Sequence, residues 1–224
     1  MNKQSAGLKV FATATLLHIN GDRFMVTARH VADILDETQV LYPKSDEEAP
    51  AFTGPRIRTN PELDATEPPF SNLDIAVLGL GNNELHGRYR FLGLSQLSPT
   101  EAVPEGIRCF VTGYRAGANR TRRNSPHVKV KQEYFEFSTL APDDYARFGL
   151  HPEFHLALIH DREAVTSKGQ KIKPPPMKGM SGGGMWIDTG SGFALTAITS
   201  EHLEADRVIF GTRISVALAL IESM

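Results

Sequence analysis

A serine set among glycines, a histidine at the end of one apolar run and an aspartate at the start of another are the side chains of this sequence with the means to do chemistry. Ser181 lies in Lys178-Gly179-Met180-Ser181-Gly182-Gly183-Gly184. Glycines on both sides let the backbone approach a bound molecule and take dihedrals that a side chain forbids. A hydroxyl can then stand beside N–H groups that converge on one external point. That pairing serves acyl transfer, where a nucleophile needs a pocket for a developing oxyanion. A hydroxyl is a weak nucleophile until a base takes its proton, and the base works best when a carboxylate orients it. His30 closes the run Phe24-Met25-Val26-Thr27-Ala28-Arg29-His30, and Asp74 opens the run Asp74-Ile75-Ala76-Val77-Leu78. Read singly, each has a plain structural reading: a glycine-rich turn, a capped or surface histidine, a solvated acid before a strand. Together, in the order His, Asp, Ser and each at the edge of a strand-like run, they make a coherent set.

These segments resemble the chymotrypsin-like (trypsin-fold) serine peptidases, nearest to the disulfide-free bacterial members. Thr27-Ala28-Arg29-His30 is similar to the family's Thr-Ala-x-His, Asp74-Ile75-Ala76-Val77-Leu78 to its Asp-Ile/Leu-Ala-hydrophobic segment, and Gly179-Met180-Ser181-Gly182-Gly183 to its Gly-x-Ser-Gly-Gly. The likeness runs over nearly the whole chain, from Ala6 to Ile221. It implies an all-β fold of two packed six-stranded antiparallel Greek-key β-barrels with a C-terminal α-helix. Residues 1–98 would carry His30 and Asp74, and residues 99–224 would carry Ser181. It implies that Ser181 is the nucleophile, His30 the general base and Asp74 its orienting acid, with the N–H groups of Gly179 and Ser181 as oxyanion hole. The strand Ala197–Glu201 would bind an extended peptide, through Thr199, Ser200 and Glu201. A protein or peptide is the implied substrate, and no cofactor is required. Two departures carry expectations of their own. Met180 stands where secreted relatives place an aspartate that pairs with a newly cleaved N-terminus, so activation by that ion pair is not expected. Gly184 replaces the usual proline, so the glycine run is expected to be mobile and an activating protein partner to order it. The alternative is a catalytically silent peptide-binding module on the same scaffold. An esterase of the α/β-hydrolase type fails on order, because there the serine precedes the acid and the histidine.

Composition narrows the classes further. Lys and Arg number 24 against 26 Asp and Glu, a formal charge of −2, so no polyanion binder and no nucleic-acid partner is expected. The local group Arg115, Arg120, Arg122 and Arg123 reads as a solvated hairpin tip. Cys109 is the single cysteine, which excludes an intrachain disulfide and favours a reducing compartment or a bacterial source. Its place in the apolar run Ile107–Val111 makes it a core residue rather than a nucleophile. The first residues lack the apolar segment of a signal peptide, and no stretch approaches the ~20 apolar residues needed to cross a bilayer. The expectation is a cytoplasmic protein with no membrane partner. His151, His155 and His160 suggest a metal cluster, but an odd separation on a strand sends His155 and His160 to opposite faces. No thiolate completes the set, so no metal site is expected.

The elements that must position these residues are mainly strands. Leu8–Ile19 and Arg23–Thr27 read as a hairpin about Asn20-Gly21. Val31–Leu35 reads as one or two helical turns, Val40–Tyr42 and Arg56–Arg58 as short strands, and Leu73–Leu80 as a central strand. Ser95–Pro104 is the expected crossover between halves. Ile107–Tyr114, His127–Leu140 and Phe154–Ile159 read as strands, Gly184–Asp188 and Phe193–Thr199 as a hairpin, and Val208–Thr212 as a strand. Ile214–Met224 has apolar residues at helical spacing and is the expected closing helix.

Overall fold

The computed structural model describes residues 11–33, 56–59, 73–80, 89–99, 103–118, 131–160, 164–166, 170–173 and 176–224. Strand β1 (Thr15–Ile19) and strand β2 (Asp22–Thr27) form the expected hairpin. Asn20 at φ 52° and Gly21 at φ 91° supply the two positive dihedrals that a tight hairpin turn with native twist demands. The helical turn α1 (Arg29–Ala32) follows, so His30 lies inside a short helix rather than ahead of one. Strand β3 (Arg56–Thr59) and strand β4 (Ala76–Leu80) complete an antiparallel sheet of order β1-β2-β4-β3. Ala76, Val77 and Leu78 are wholly buried, as a strand covered on both faces requires.

Eight further strands make the second sheet: β5 (Arg108–Gly113), β6 (Glu133–Thr139), β7 (His155–Ile159), β8 (Ala164–Thr166), β9 (Lys171–Ile172), β10 (Gly184–Asp188), β11 (Phe193–Leu203) and β12 (Val208–Arg213). Six of them run in the order β5-β10-β11-β12-β7-β6, and β6 pairs back onto β5, closing an antiparallel barrel. β8 joins β6 beyond the point where β7 leaves it, and β9 extends β8. Val111, Phe135, Phe137, Leu156, Leu158, Met180, Met185 and Ile209 fill the barrel, with Cys109 among them as expected. The C-terminal helix α2 (Ile214–Glu222) lays Ile214, Ala217, Leu220 and Ile221 into a second core that joins Leu17, Phe24, Val26, Ile75 and Val77 of the first sheet to Leu195 and Ile198 of the barrel. That shared core is what holds the His30 and Ser181 halves against each other.

Several boundaries differ from the sequence expectation. One closed six-stranded barrel is present, but the first sheet is open and no second barrel is closed among the described residues. The expected strand Val40–Tyr42, the stretch 127–130 and Arg120, Arg122 and Arg123 lie outside them. β1 begins at Thr15 because the chain just before it is bonded elsewhere: the Thr13 N–H donates to the Ser181 carbonyl at 2.9 Å, and the Thr13 carbonyl accepts from Thr27 Oγ1 at 2.8 Å. β11 runs on to Leu203, since pairing with β12 outweighs the polar run Ser200-Glu201-His202. Among the described residues, no helix is long and apolar enough to cross a membrane.

Candidate active site

The pairing of β2 with β4 brings the first two candidate residues together. Thr27 stands opposite Ala76, so the chain leaving β2 and the chain entering β4 meet at one sheet end. His30 and Asp74 lie just beyond that pair. The His30 ring Nδ1 is 2.7 Å from Asp74 Oδ2, and the His30 backbone N–H donates to Oδ1 at 2.9 Å. A carboxylate only accepts, so Nδ1 carries the proton and Nε2 is left as the basic nitrogen. Both oxygens of Asp74 are thereby engaged by one residue, which fixes the ring's orientation as well as its tautomer. Ser200 Oγ donates to the Asp74 backbone carbonyl at 3.2 Å, tying β11 to the same acid.

The loop that carries Ser181 is built from turns and close packing. Met180 N–H donates to the Met177 carbonyl at 2.9 Å, closing a tight turn with Gly179 at its third position. Gly179 has φ +93°, the value a type II turn needs there. The Lys178 carbonyl is held by the Ala116 N–H at 2.8 Å, the Gly179 carbonyl by Thr13 Oγ1 at 2.8 Å, and the Met180 carbonyl by the Gly183 N–H at 2.8 Å. The Ser181 carbonyl accepts from Thr13 N–H, and the Gly182 carbonyl from Thr15 Oγ1 at 3.2 Å. Gly182 N–H donates to the Thr199 carbonyl at 2.7 Å. From Gly179 to Gly183, only the N–H groups of Gly179 and Ser181 donate to no acceptor among the described residues. In a trans peptide the C=O and N–H point opposite ways, so pinning the Lys178 and Met180 carbonyls aims these two free N–H groups. The two free N–H groups thus belong to consecutive turns, Met177–Met180 and Met180–Gly183.

Close approach by neighbouring groups, with a positive φ at Gly182, accounts for the glycines of the run 182–184. A Cβ on Gly182 would run into the Thr13 carbonyl and Thr27 Oγ1, and one on Gly183 into the Thr112 carbonyl. One on Gly184 would stand 2.5 Å from Trp186 Nε1 and 2.7 Å from Leu195 Cδ1. All three glycines are buried. Any side chain at 184 would meet the indole of Trp186.

His30, Asp74, Ser181, Thr199, Ser200 and Glu201 line one cavity of about 600 Å³. Thr199 is buried, and its backbone is already spent on the loop: its N–H donates to the Gly183 carbonyl at 2.8 Å and its C=O receives Gly182. A bound peptide would therefore have to pair beyond Thr199, and not along all of Ala197–Glu201. From Glu201 to Leu203, β11 is paired with β12 alone, because β10 reaches only to Ile198. Glu201 is exposed, whereas the Ser200 hydroxyl is turned to the Asp74 backbone carbonyl.

The sequence reading missed Thr13, Thr15 and His202. Thr13 and Thr15 act through partners more than 160 residues away, at separations of 166 and 167, which no local pattern records. His202 lines the cavity, packs at a tilt against His160 with ring centroids 4.2 Å apart, and has its pKa lowered by burial, against the opposing pull of Glu204. Of the three histidines weighed as a metal cluster, His155 is buried in β7 beside the His151 carbonyl, and His160 packs on Phe137 and His202. Among the described residues, no three His, Cys, Asp or Glu side chains gather to hold a metal ion. No protein-family model matches the chain, and no curated protein matches it.

Proposed function

We propose that this chain is a serine endopeptidase that hydrolyses peptide bonds through a Ser181-His30-Asp74 triad and an acyl-enzyme. The observation that carries the reading is the His30 Nδ1 to Asp74 contact of 2.7 Å, in a cavity that Ser181 also lines. The two undonated N–H groups of Gly179 and Ser181 support it from the oxyanion side. In this reading Ser181 Oγ attacks the scissile carbonyl carbon as His30 Nε2 takes its proton. The carbonyl oxygen becomes an oxyanion between the two N–H groups, each donor worth roughly 10²–10³ in rate. His30 passes the proton to the departing amine nitrogen as the C–N bond breaks. Water then repeats the sequence on the ester, losing a proton to His30 and releasing the acid and the free serine. Asp74 stabilises the imidazolium throughout. The unpaired edge of β11 after Thr199 accepts the peptide as an added strand. The same reading takes the open four-stranded sheet as part of a second, family-type barrel.

Incubation with a mixed peptide library, read by mass spectrometry, tests the proposal. The expected outcome is new peptide termini with the wild-type protein and none with Ser181→Ala. Binding of library peptides without any cleavage would overturn it in favour of a silent peptide-binding module.

A further inference from the structure

Thr13 joins the two halves of this site, and it uses every polar group it has. It is 8 % exposed. Its N–H donates to the Ser181 carbonyl at 2.9 Å, and its carbonyl accepts from Thr27 Oγ1 at 2.8 Å, three residues ahead of His30. Its hydroxyl is a relay: it accepts from Tyr114 N–H at 2.9 Å and donates to the Gly179 carbonyl at 2.8 Å. The Gly179 carbonyl belongs to the peptide that lies between the two bearing the free N–H groups of Gly179 and Ser181. Its neighbours on either side are already pinned, Lys178 by Ala116 and Met180 by Gly183. The middle peptide has the Met180 N–H on Met177 at one end, and at its carbonyl end the Thr13 hydroxyl. The Met180 side chain contributes no polar anchor, being wholly buried in the barrel core.

We infer that Thr13 is a positioning residue: its hydroxyl locks the peptide between the two oxyanion donors and so holds both N–H groups on one point. The inference rests on the peptidase reading above and adds to it the group that keeps the turn in its donating form. A buried carbonyl deprived of its donor seeks another partner. Here the simplest response is rotation of the peptide plane, which misdirects the flanking amides. An interaction of this kind acts on the transition state more than on the bound substrate, because the donors are needed most when charge develops.

The test compares wild type, Thr13→Val, which keeps the shape and removes the hydroxyl, and Thr13→Ser, which keeps the hydroxyl. Each is measured for kcat and KM on a peptide that the wild type cleaves, for inhibition by the matching peptide aldehyde, and for melting temperature. The aldehyde forms a hemiacetal with Ser181 and places an oxyanion in the same spot. Expected for Thr13→Val is a fall in kcat of tenfold or more with KM within about twofold, and a matching loss of aldehyde affinity. Thr13→Ser should recover most of both. If Thr13→Val does not fold, Thr13→Ala, which cannot overpack the site, takes its place. Unchanged kcat and aldehyde affinity in the hydroxyl-free variant would overturn the inference. So would a fall in melting temperature and activity together that Thr13→Ser fails to reverse. A wild-type protein that neither cleaves peptides nor forms the aldehyde adduct would overturn the peptidase reading itself, a result distinct from either.

Discussion

Asp74 binds His30 twice, through the ring at 2.7 Å and through the backbone N–H at 2.9 Å, and the two contacts do different things. The backbone contact fixes where α1 begins relative to β4. The ring contact decides which nitrogen of His30 carries the proton and leaves Nε2 with the lone pair. Replacing Asp74 with asparagine can preserve the first by its carbonyl oxygen while presenting an amide N–H to Nδ1, which reverses the tautomer. Asp74→Asn is therefore expected to fold, with a melting temperature near wild type, and to lose about 10⁴ in kcat. Steady-state kinetics on a cleaved peptide, beside a thermal melt, checks both halves. That His30, Asp74 and Ser181 line one cavity was legible in the sequence, because each sits in a short local motif beside a strand-like run. Thr13 was not, since nothing around it distinguishes a strand threonine from one whose hydroxyl reaches Gly179.

At the scale of elements, the loop between β9 and β10 is shaped by what it packs against. Gly184 starts β10 opposite Ile198, beneath the indole of Trp186, whose Nε1 donates to Thr112 Oγ1 at 2.9 Å. A methyl group at 184 would enter that contact at 2.5 Å. Gly184→Ala is expected to destabilise by about 1–3 kcal/mol, the usual range for overpacking. Trp186 is the only tryptophan, so a shift of the fluorescence-detected urea midpoint to lower concentration reads the effect directly. An unchanged midpoint would mean that the strand yields freely there. Hairpins with local signals, such as β1–β2 about Asn20-Gly21, were readable in advance. The close packing around the glycine run was not legible, because composition alone does not separate a glycine that supplies freedom from one that yields space to a neighbouring backbone. β8 and β9 were missed for a related reason: β8 pairs with β6 and β9 with β8, and three- and two-residue strands carry no period of their own.

Over the whole molecule, the site is held by one core shared between the open sheet, β11 and α2, which is why residues so far apart in the chain meet in a single cavity. The mostly β character and the closing helix follow from alternation and from the spacing of Ile214, Ala217, Leu220 and Ile221. The way strands close a barrel does not, because pairing of β6 with β5, β7 and β8 is a long-range choice. Burial also ties the cavity to pH. His202 has its pKa pushed below the ordinary 6.5 by burial, with Glu204 opposing. The unfolded chain then takes up a proton that the folded one refuses, so stability is full above 6.5 and falls as pH drops toward the lowered value. The pH dependence of the melting temperature below 6.5 is expected to be shallower in His202→Gln than in wild type, and an equal slope would contradict the assignment. The central claim, that His30 activates Ser181, is tested most directly by intact-mass measurement after exposure to a fluorophosphonate. The account predicts one covalent adduct on the wild type, mapped to Ser181, absent from Ser181→Ala and strongly slowed in His30→Ala. An unmodified wild-type protein, or labelling indifferent to His30, would contradict it.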